Sequence, residues 1–330
     1  MNAVYVAGVS AYVPPRRISI EAAIAQGRYD EARARTDGFT AVAVEETLDV
    51  PAMAVRAAAP LVGEADRERV GSLYFAAIHR HGHTLLWPPA SHLQKVLGLP
   101  ATARVLGVSH GCNGAFLAAS LAIDLIGAGD ARDHLVVGAD RFSGSGFDRF
   151  NSDLGTLYGD AASAIRFSPE PGPMRVAAFV LESEPLLEEM YRAAEPGPEG
   201  PADHRIKEAK RAYLERMGRP HFEALFRGAL QRLRGALLAR IALDERPADY
   251  IVYPNVGAGL SAALYDGALG DLARENVWDY GRSVGHTGVS DQLVGLARLV
   301  EDESLSAGSR VLLIGAGNGL SLAALVLECG

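Results

Sequence analysis

The chain has 330 residues, of which 48% are hydrophobic and 22% charged, with a net charge of −8 and only two cysteines. This length suits about two globular domains, and the acidic balance without a long basic run disfavours nucleic acid and anionic membranes as partners. Two cysteines give no disulfide framework, so we expect a cytoplasmic protein. The N-terminal stretch does not resemble a signal peptide, and no apolar stretch is long enough to span a bilayer.

Short apolar strands alternate with helices through the first half of the chain. AVYVAGVSAYV, GSLYFAAIH, ARVLGVS, HLVVGAD and ASAIRFS are typical of strands, and PAMAVRAAAPLV, PPASHLQKVLGLP and GAFLAASLAIDLIGAG are typical of helices. The last helix is apolar on nearly all sides, which predicts that it is buried. Continuous apolar strands that alternate with helices indicate an α/β fold whose sheet is covered on both faces.

The pattern starts again near residue 172. PMRVAAFVLES, DYIVYPN, SRVLLIGAG and LSLAALVLEC predict strands, and FEALFRGALQRLRGALLARI and GVSDQLVGLARLVED predict helices. Each half contains a buried helix followed by two closing strands. We therefore predict two duplicated halves, residues 1–171 and 172–330.

Cys112 lies in GVSHGCNGAFLAAS, between a predicted strand and the buried helix. A helix N-terminus offers free N–H groups and a partial positive charge, both of which stabilise a thiolate. Cysteine is also a small hydrophobic residue that is often simply buried. From this stretch alone, a nucleophile and a packing residue are equally good interpretations.

His286 and Asp291 lie in SVGHTGVSDQL, a glycine-rich loop that leads into a helix. A loop histidine can act as a general base near neutral pH, and a nearby carboxylate can orient it. Asp291 could equally cap the helix that follows, and Ser290 could orient the histidine instead. The sequence leaves these alternatives open.

The motif GAGNG at residues 315–319 looks like part of a dinucleotide-binding fingerprint. It is followed by another apolar strand, without room for the βαβ unit or the acidic residue that the fingerprint requires. A glycine turn whose backbone N–H faces an active site is the better interpretation, and a plain hairpin remains the alternative.

In this order the motifs resemble the ketoacyl-ACP synthase III group of the thiolase superfamily. GVSHGCNGAFLAASLAIDLIGAGDARDHLVVGAD is similar to its nucleophile helix, YGDAASAIRF to its Gly-Asp turn, and the stretch from GHTGVSDQL to LSLAALVLE to its C-terminal loop, helix and closing strands. The resemblance implies a five-layer α-β-α-β-α thiolase fold of two pseudo-duplicated halves, usually in a homodimer.

The catalytic pattern of the condensing members, Cys-His-Asn, is altered. Cys112 occupies the Cys position, but Pro254 or Asn255 stands at the His position and His286 at the Asn position. In the family, the His and Asn side chains together hold the enolate formed by decarboxylation. The loss of that pair weighs against carbon–carbon bond formation.

A branch of the group with Cys, a displaced His and a following Asp resembles acyltransferases of antibiotic and polyketide biosynthesis. The resemblance implies that Cys112 takes an acyl group from an acyl carrier protein or coenzyme A, and that His286, oriented by Asp291, activates a hydroxyl or amine of a small molecule. The backbone N–H groups of Cys112 and Gly317 would form the oxyanion hole. No metal or redox cofactor is expected.

Three further residues are expected to line the substrate pocket by the same resemblance: Trp87, Leu86 and Asn255. A carrier protein is acidic and would need a basic docking patch, although such charges are more often a solvated face. The candidates are Arg16, Arg17, Arg205, Lys207, Lys210 and Arg211.

Three other functions stay open at this point. They are a condensing enzyme in which His286 alone acts as base, a thioester hydrolase, and a non-catalytic partner subunit. The presence of Cys112 weighs against the partner subunit, whose signature would be loss of the nucleophile.

Overall fold

The computed structural model describes residues 2–79, 84, 86–143, 147–192 and 206–330. Its strands are β1 (Tyr5–Tyr12), β2 (Arg17–Ser19), β3 (Ala41–Ala43), β4 (Val70–Ala76), β5 (Arg104–Val108), β6 (Asp133–Asp140), β7 (Ala161–Ser168), β8 (Met174–Ser183), β9 (Ala248–Val252), β10 (Ala273–Asn276), β11 (Arg310–Gly317) and β12 (Ser321–Cys329). All but β2 and β3 join in the order β10-β9-β11-β12-β8-β1-β7-β6-β4-β5.

This order contains the same five-strand pattern twice. Numbered within its half, each set runs 3-2-4-5-1. Strands β4 and β9, each second from an edge of the sheet, have two parallel neighbours, while β7 and β12 run antiparallel to the strands beside them. The sets meet where β1 pairs with β8 over two residues. The boundary expected at 171/172 lies in the link between β7 and β8.

The helices of each half follow the same plan. They are α1 (Ile20–Ala25), α2 (Glu31–Asp37), α3 (Val50–Ala58), α4 (Pro89–Leu97), α5 (Gly114–Gly127), α6 (Ile206–Met217), α7 (Arg219–Leu238), α8 (Ala258–Ser261), α9 (Gly267–Leu269), α10 (Trp278–Gly281) and α11 (Asp291–Glu301), with a π-helical turn at Ala262–Asp266. Local signals set several ends. The Asp49 carboxylate accepts from the Ala52 N–H at the start of α3, and Gly98 ends α4 in the left-handed conformation.

Three apolar clusters divide the molecule into layers. α5 and α11 share a central cluster with strands of both halves, α3 and α4 cover the outer face of the first half, and α7 covers that of the second. Because α5 packs between the strand sets of the two halves, most of its residues are apolar, as its sequence predicts. The five-layer α-β-α-β-α prediction is therefore confirmed.

Candidate active site

Cys112 lies in the turn between β5 and α5, at the N-terminal end of the central helix. Gly111, just before it, has φ +52, and a Cβ there would come within 3.1 Å of the Asn318 backbone nitrogen. Glycine therefore permits both the left-handed turn and the close approach of the β11–β12 hairpin. The turn leaves Cys112 partly buried at the edge of a cavity.

His286 is held by backbone pairing with the first half of the chain. Its N–H donates to the Leu157 carbonyl at 2.7 Å, and its carbonyl accepts from the Gly159 N–H at 2.9 Å. A Cβ on the preceding Gly285, which has φ +85, would lie 3.0 Å from the Gly159 nitrogen. The imidazole is 4% exposed and packs against the Tyr158 ring at a centroid distance of 5.2 Å.

Three side chains form a continuous polar chain. His286 Nε2 lies 3.1 Å from Cys112 Sγ, and His286 Nδ1 lies 2.5 Å from Asp291 Oδ2. Cys112 and His286 are 174 residues apart in sequence, so the fold brings them together. This is the order nucleophile, base and orienting carboxylate that a catalytic triad requires.

The Asp291 carboxylate is fixed by donors outside its own helix. Oδ1 accepts from the Thr287 N–H and hydroxyl at 2.6 and 2.7 Å, and Oδ2 accepts from the Asn255 N–H at 2.7 Å as well as contacting His286. These contacts orient Asp291 towards His286, so the alternative of a helix cap finds no support. Ser290 is fully buried, and its hydroxyl has no hydrogen-bond partner among the described residues.

Opposing effects set the protonation of His286. Burial lowers the pKa of this imidazole, but the Asp291 carboxylate and then the Cys112 sulfur outweigh it and hold the pKa well above its ordinary value. The surroundings thus favour the protonated form of the His286 imidazole. Such an arrangement keeps Nδ1–H on Asp291 and turns Nε2–H towards sulfur.

A cavity of about 240 Å³ lies beside the Cys112–His286–Asp291 row. Cys112, His286 and Gly317 are among its lining residues. Gly317 lets the β11–β12 hairpin reach the start of α5, since a Cβ there would come within 2.8 Å of the Asn113 nitrogen. Most of the remaining wall is apolar: Leu154, Met190, Leu214, Phe222, Phe226, Pro254, Val256, Leu260, Ala263, Leu264, Ala316 and Leu320. The cavity suits an acyl chain attached to Cys112.

Two family models match the chain. The model described as 3-oxoacyl-[acyl-carrier-protein] synthase III matches residues 106–185, and its C-terminal counterpart matches residues 249–329. The first range contains Cys112, and the second contains His286 and Asp291. Beta-ketoacyl-[acyl-carrier-protein] synthase III 5 of Streptomyces coelicolor is 29% identical over 230 residues, which cover 68% of this chain and 67% of the relative.

Solved structures extend the likeness over the full chain. ChlB3, named as an acyltransferase, superposes with a TM-score of 0.90 at 28% identity, covering 99% of this chain and 98% of that one. The chain belongs to the 3-oxoacyl-[acyl-carrier-protein] synthase III-like family. The synthase III of Aquifex aeolicus VF5 shares the fold at 18% identity, with a TM-score of 0.77 and coverage of 98% and 99%. The match with the Streptomyces relative covers about two thirds of that protein's length.

The structure places the three predicted pocket residues away from this cavity. Trp87 packs beside His92, and the Leu86 side chain is 91% exposed. Asn255 turns its side chain to the Gly285 carbonyl at 3.0 Å, while its backbone holds Asp291. None of these three residues is among those that line this cavity, whereas Pro254, next to Asn255, is, and their place in the substrate pocket stays a prediction.

Sequence reasoning did not place the polar residues of the cavity wall, among them Asp153, Tyr158 and Lys210. Lys210 was a candidate for the basic docking patch, but its side chain is only 14% exposed and its ammonium contacts Asp153 at 2.6 Å. Arg205 of that patch lies outside the described residues. No local pattern marks the contact, because its partners are 57 residues apart.

Two features are absent from the residues that the structure describes. None of the helices there combines the length and apolarity that crossing a bilayer requires. Within the same residues, no three His, Cys, Asp or Glu side chains converge as a metal site would need.

Proposed function

We propose that this family member transfers an acyl group from an acyl carrier protein or coenzyme A thioester to a hydroxyl or amine of a small molecule. The observation that carries the proposal is the continuous chain from Cys112 Sγ through His286 to the Asp291 carboxylate. The acyltransferase name of ChlB3 supports the same reaction class. A role in antibiotic or polyketide biosynthesis belongs to this proposal.

In the first half-reaction, the Cys112 thiolate attacks the donor's thioester carbonyl. The carbon–sulfur bond of the donor breaks, and its thiolate leaves with the proton from His286 Nε2. The backbone N–H groups of Cys112 and Gly317 are proposed to stabilise the oxyanion, and such donors contribute about 10²–10³ in rate each. The product is an acyl group on Cys112 and a neutral imidazole.

In the second half-reaction, His286 acts as a base. Acylation removes the negative charge on sulfur, which is one of the causes that raise the pKa of His286. The neutral Nε2 then takes the proton of the acceptor O–H or N–H as the acceptor attacks the acyl carbon. Cys112 leaves as thiolate, and Asp291 stabilises the renewed imidazolium. The thioester supplies the driving force, so this route needs no metal or redox cofactor.

One feature favours an oxygen or nitrogen acceptor over a carbon acceptor. Pro254, which cannot act as a base, lines the cavity at the position where the resemblance places the condensing enzymes' histidine. Both ring nitrogens of His286 already have partners, Cys112 and Asp291. Neither Pro254 nor His286 is therefore placed to supply the second polar group that an enolate would require.

Intact-protein mass spectrometry tests the proposal. The protein is offered a panel of acyl-coenzyme A and acyl-carrier thioesters, with Cys112→Ala and Cys329→Ala as matched variants. We expect a mass gain equal to one acyl group in the wild type and in Cys329→Ala, and its discharge by a hydroxyl or amine acceptor. An adduct that persists in Cys112→Ala would remove Cys112 from the mechanism, and discharge by water alone would indicate a hydrolase.

We also infer a homodimer through β5. This strand stands at the end of the ten-stranded sheet, so one of its edges has no partner strand among the described residues. Leu106 on β5 and Leu121 on α5 are 42% and 41% exposed. Exposed apolar strand edges favour pairing with another strand. Light scattering after size exclusion should give a dimer, and Leu106→Lys should shift it to monomer; a monomeric wild type would contradict the inference.

A further inference from the structure

A buried ion pair lies in the wall of the Cys112 cavity, most of whose lining is apolar. Lys210 Nζ, from α6, contacts Asp153 Oδ1 at 2.6 Å, and the Tyr158 hydroxyl donates to Asp153 Oδ2 at 2.7 Å. The side chains of Lys210 and Asp153 are 14% and 3% exposed, and all three residues line the cavity. The cluster is thus built into the space that adjoins the nucleophile.

Such a pair is not explained by stability. Removing two charges from water costs several kcal/mol per ion, and apolar replacements of buried ion pairs are often as stable or more so (about 1–4 kcal/mol). A wall meant only for a hydrocarbon chain would be better served by leucine or phenylalanine at these buried positions, as at Leu154, Leu214 and Phe226 of the same lining. The charges therefore point to a polar group in the substrate.

The three members keep defined charge states. Burial lowers the pKa of Lys210, but Asp153 outweighs it and raises that pKa above the ordinary value, which preserves the ammonium. Burial and the neighbouring Asp153 raise the pKa of Tyr158, which preserves the phenol. The cluster as a whole therefore carries no net charge.

Hydrogen-bonding capacity remains on the side of the cluster that faces the cavity. Asp153 already accepts from Lys210, from Tyr158 and from the Leu154 N–H at 2.7 Å. Lys210 has three N–H groups, and its Nζ also lies 4.8 Å from the centre of the Tyr191 ring. The Tyr158 oxygen, whose proton goes to Asp153, can still accept. A substrate hydroxyl group could accept from Lys210 and donate to the Tyr158 oxygen. A substrate carbonyl could accept from Lys210 alone.

We propose that Lys210, Asp153 and Tyr158 form a specificity site for a hydroxyl or carbonyl oxygen on the acyl group that Cys112 carries. The inference rests on the proposed function. Tyr158 packs on His286, with ring centroids 5.2 Å apart, and the cluster and Cys112 line the same cavity. A carboxylate is disfavoured, because a cluster without net charge does not compensate the desolvation of an anion.

The experiment compares acylation rates of Cys112 with matched probes. The probes are N-acetylcysteamine thioesters of hexanoate and of 3-, 4- and 5-hydroxyhexanoate, and the readout is the mass of the intact full-length protein at timed intervals. We expect the best hydroxy isomer to react about 10- to 100-fold faster than hexanoate, since a hydrogen bond to a charged or buried polar group discriminates by that order. No acceptor is present, so only the acyl group is tested.

Variants separate recognition from a purely structural role. Lys210→Met combined with Asp153→Asn removes both charges without leaving one unpaired, and the rate ratio should fall towards 1. Tyr158→Phe removes a single hydroxyl and should lower the ratio about 3- to 10-fold. Glu215→Gln, on the exposed face of the same helix and outside the lining, should leave the ratio unchanged. If the Lys210–Asp153 pair only held α6 in place, the double variant would have a lower free energy of unfolding in urea but the same rate ratio as the wild type.

The outcomes distinguish the inference from the proposed function. Equal rates for hexanoate and every hydroxy isomer, with adducts present on Cys112, would overturn the specificity site alone. A preference retained in both the double variant and Tyr158→Phe would do the same. Absence of any adduct with every thioester, in a folded protein, would overturn the proposed function and this inference together.

Discussion

The two halves share a strand order but use the same turn differently. In the first half, the turn from β5 to α5 is short and holds Cys112; in the second, the segment from β10 to α11 is longer and holds His286 and Asp291. The two turns meet: a Cβ on Gly114, at the start of α5, would lie 3.6 Å from Val289 just before α11. The duplicated fold therefore brings the N-termini of α5 and α11 together. Because the two turns differ in sequence, one supplies the nucleophile and the other supplies the base.

The halves also differ in what surrounds their buried histidines. His286 of the second half has a partner on each ring nitrogen, and its pKa is raised. His134 of the first half is fully buried, neither of its ring nitrogens has a hydrogen-bond partner among the described residues, and its pKa is lowered by burial. The pKa of His286 is thus shifted upwards and that of His134 downwards. This difference distinguishes a histidine in the candidate site from one that only packs in the core.

Replacing the base should have the largest effect. His286→Ala leaves Cys112 without its proton acceptor, so acyl transfer to a hydroxyl acceptor should fall by about 10⁴-fold. Single-turnover mass spectrometry measures this directly. His134→Ala is the matched control from the other half and should retain transfer in whatever fraction of the protein is folded; equal losses in both variants would contradict the assignment of His286.

Replacing the orienting carboxylate should have the next largest effect. Asp291→Asn keeps the shape but removes the charge that holds the His286 tautomer, and transfer should fall by about 10²–10³-fold. Long-range ¹⁵N NMR of the imidazole should show a raised pKa for His286 in the wild type and a lower pKa in the variant. An unchanged pKa would show that Asp291 does not act on the ring.

The sign of the linked stability follows from that shift. Because the folded-state pKa of His286 is raised, its ion pair contributes stability fully below the unfolded pKa of about 6.5. The contribution is lost as the pH rises through the folded-state pKa. In Asp291→Asn, the free energy of unfolding should lose this dependence.

The contact between halves at the second turn should tolerate no side chain. Gly288 has φ +68, and a Cβ there would lie 2.3 Å from Asp140 Oδ2 of the first half. Gly288→Ala should lower the free energy of unfolding by about 2–4 kcal/mol, through left-handed strain and overpacking. Gly235→Ala, in the middle of α7 with open space around it, should raise it by about 0.5–1 kcal/mol. Urea titration checks both, and similar effects would contradict the geometry.

The smallest effect concerns His134. Burial lowers its pKa, Asp130 raises it, and Arg104 and Arg132 lower it further. Because the unfolded chain binds the proton more tightly, stability should decline as the pH falls below about 6.5, by at most about 1.4 kcal/mol per pH unit. His134→Gln should flatten that decline in urea titrations at pH 5.5 and 7.5. A decline of the same size in the variant would assign it to other groups.

The sequence predicts the parts of this site that have strong local signals. Cys112 follows an apolar strand and begins an apolar helix, and His286 stands in a glycine-rich loop before another helix. Both positions are marked by a turn before a helix, and a turn of this kind can be identified from one short segment of sequence. The distance between the two side chains then follows from the duplicated fold, which the order of the motifs indicates.

The rest of the site depends on contacts that no segment encodes. Asp291 was ambiguous because its partners include the Asn255 N–H, 36 residues away. Lys210 lies on a helix rich in charged residues, whose side chains are usually solvated, and its burial depends on Asp153 from the other half. Leu86 and Trp87 were assigned to the pocket by analogy alone, and analogy does not transfer the position of a loop.

A decarboxylation assay tests the central claim most directly. Malonyl thioester labelled at its free carboxylate is offered to the acylated protein together with a hydroxyl acceptor. With Pro254 in the cavity wall and His286 held between Cys112 and Asp291, we predict ester formation without release of labelled CO₂. Labelled CO₂ released in step with a carbon–carbon bonded product would contradict the account and identify a condensing enzyme.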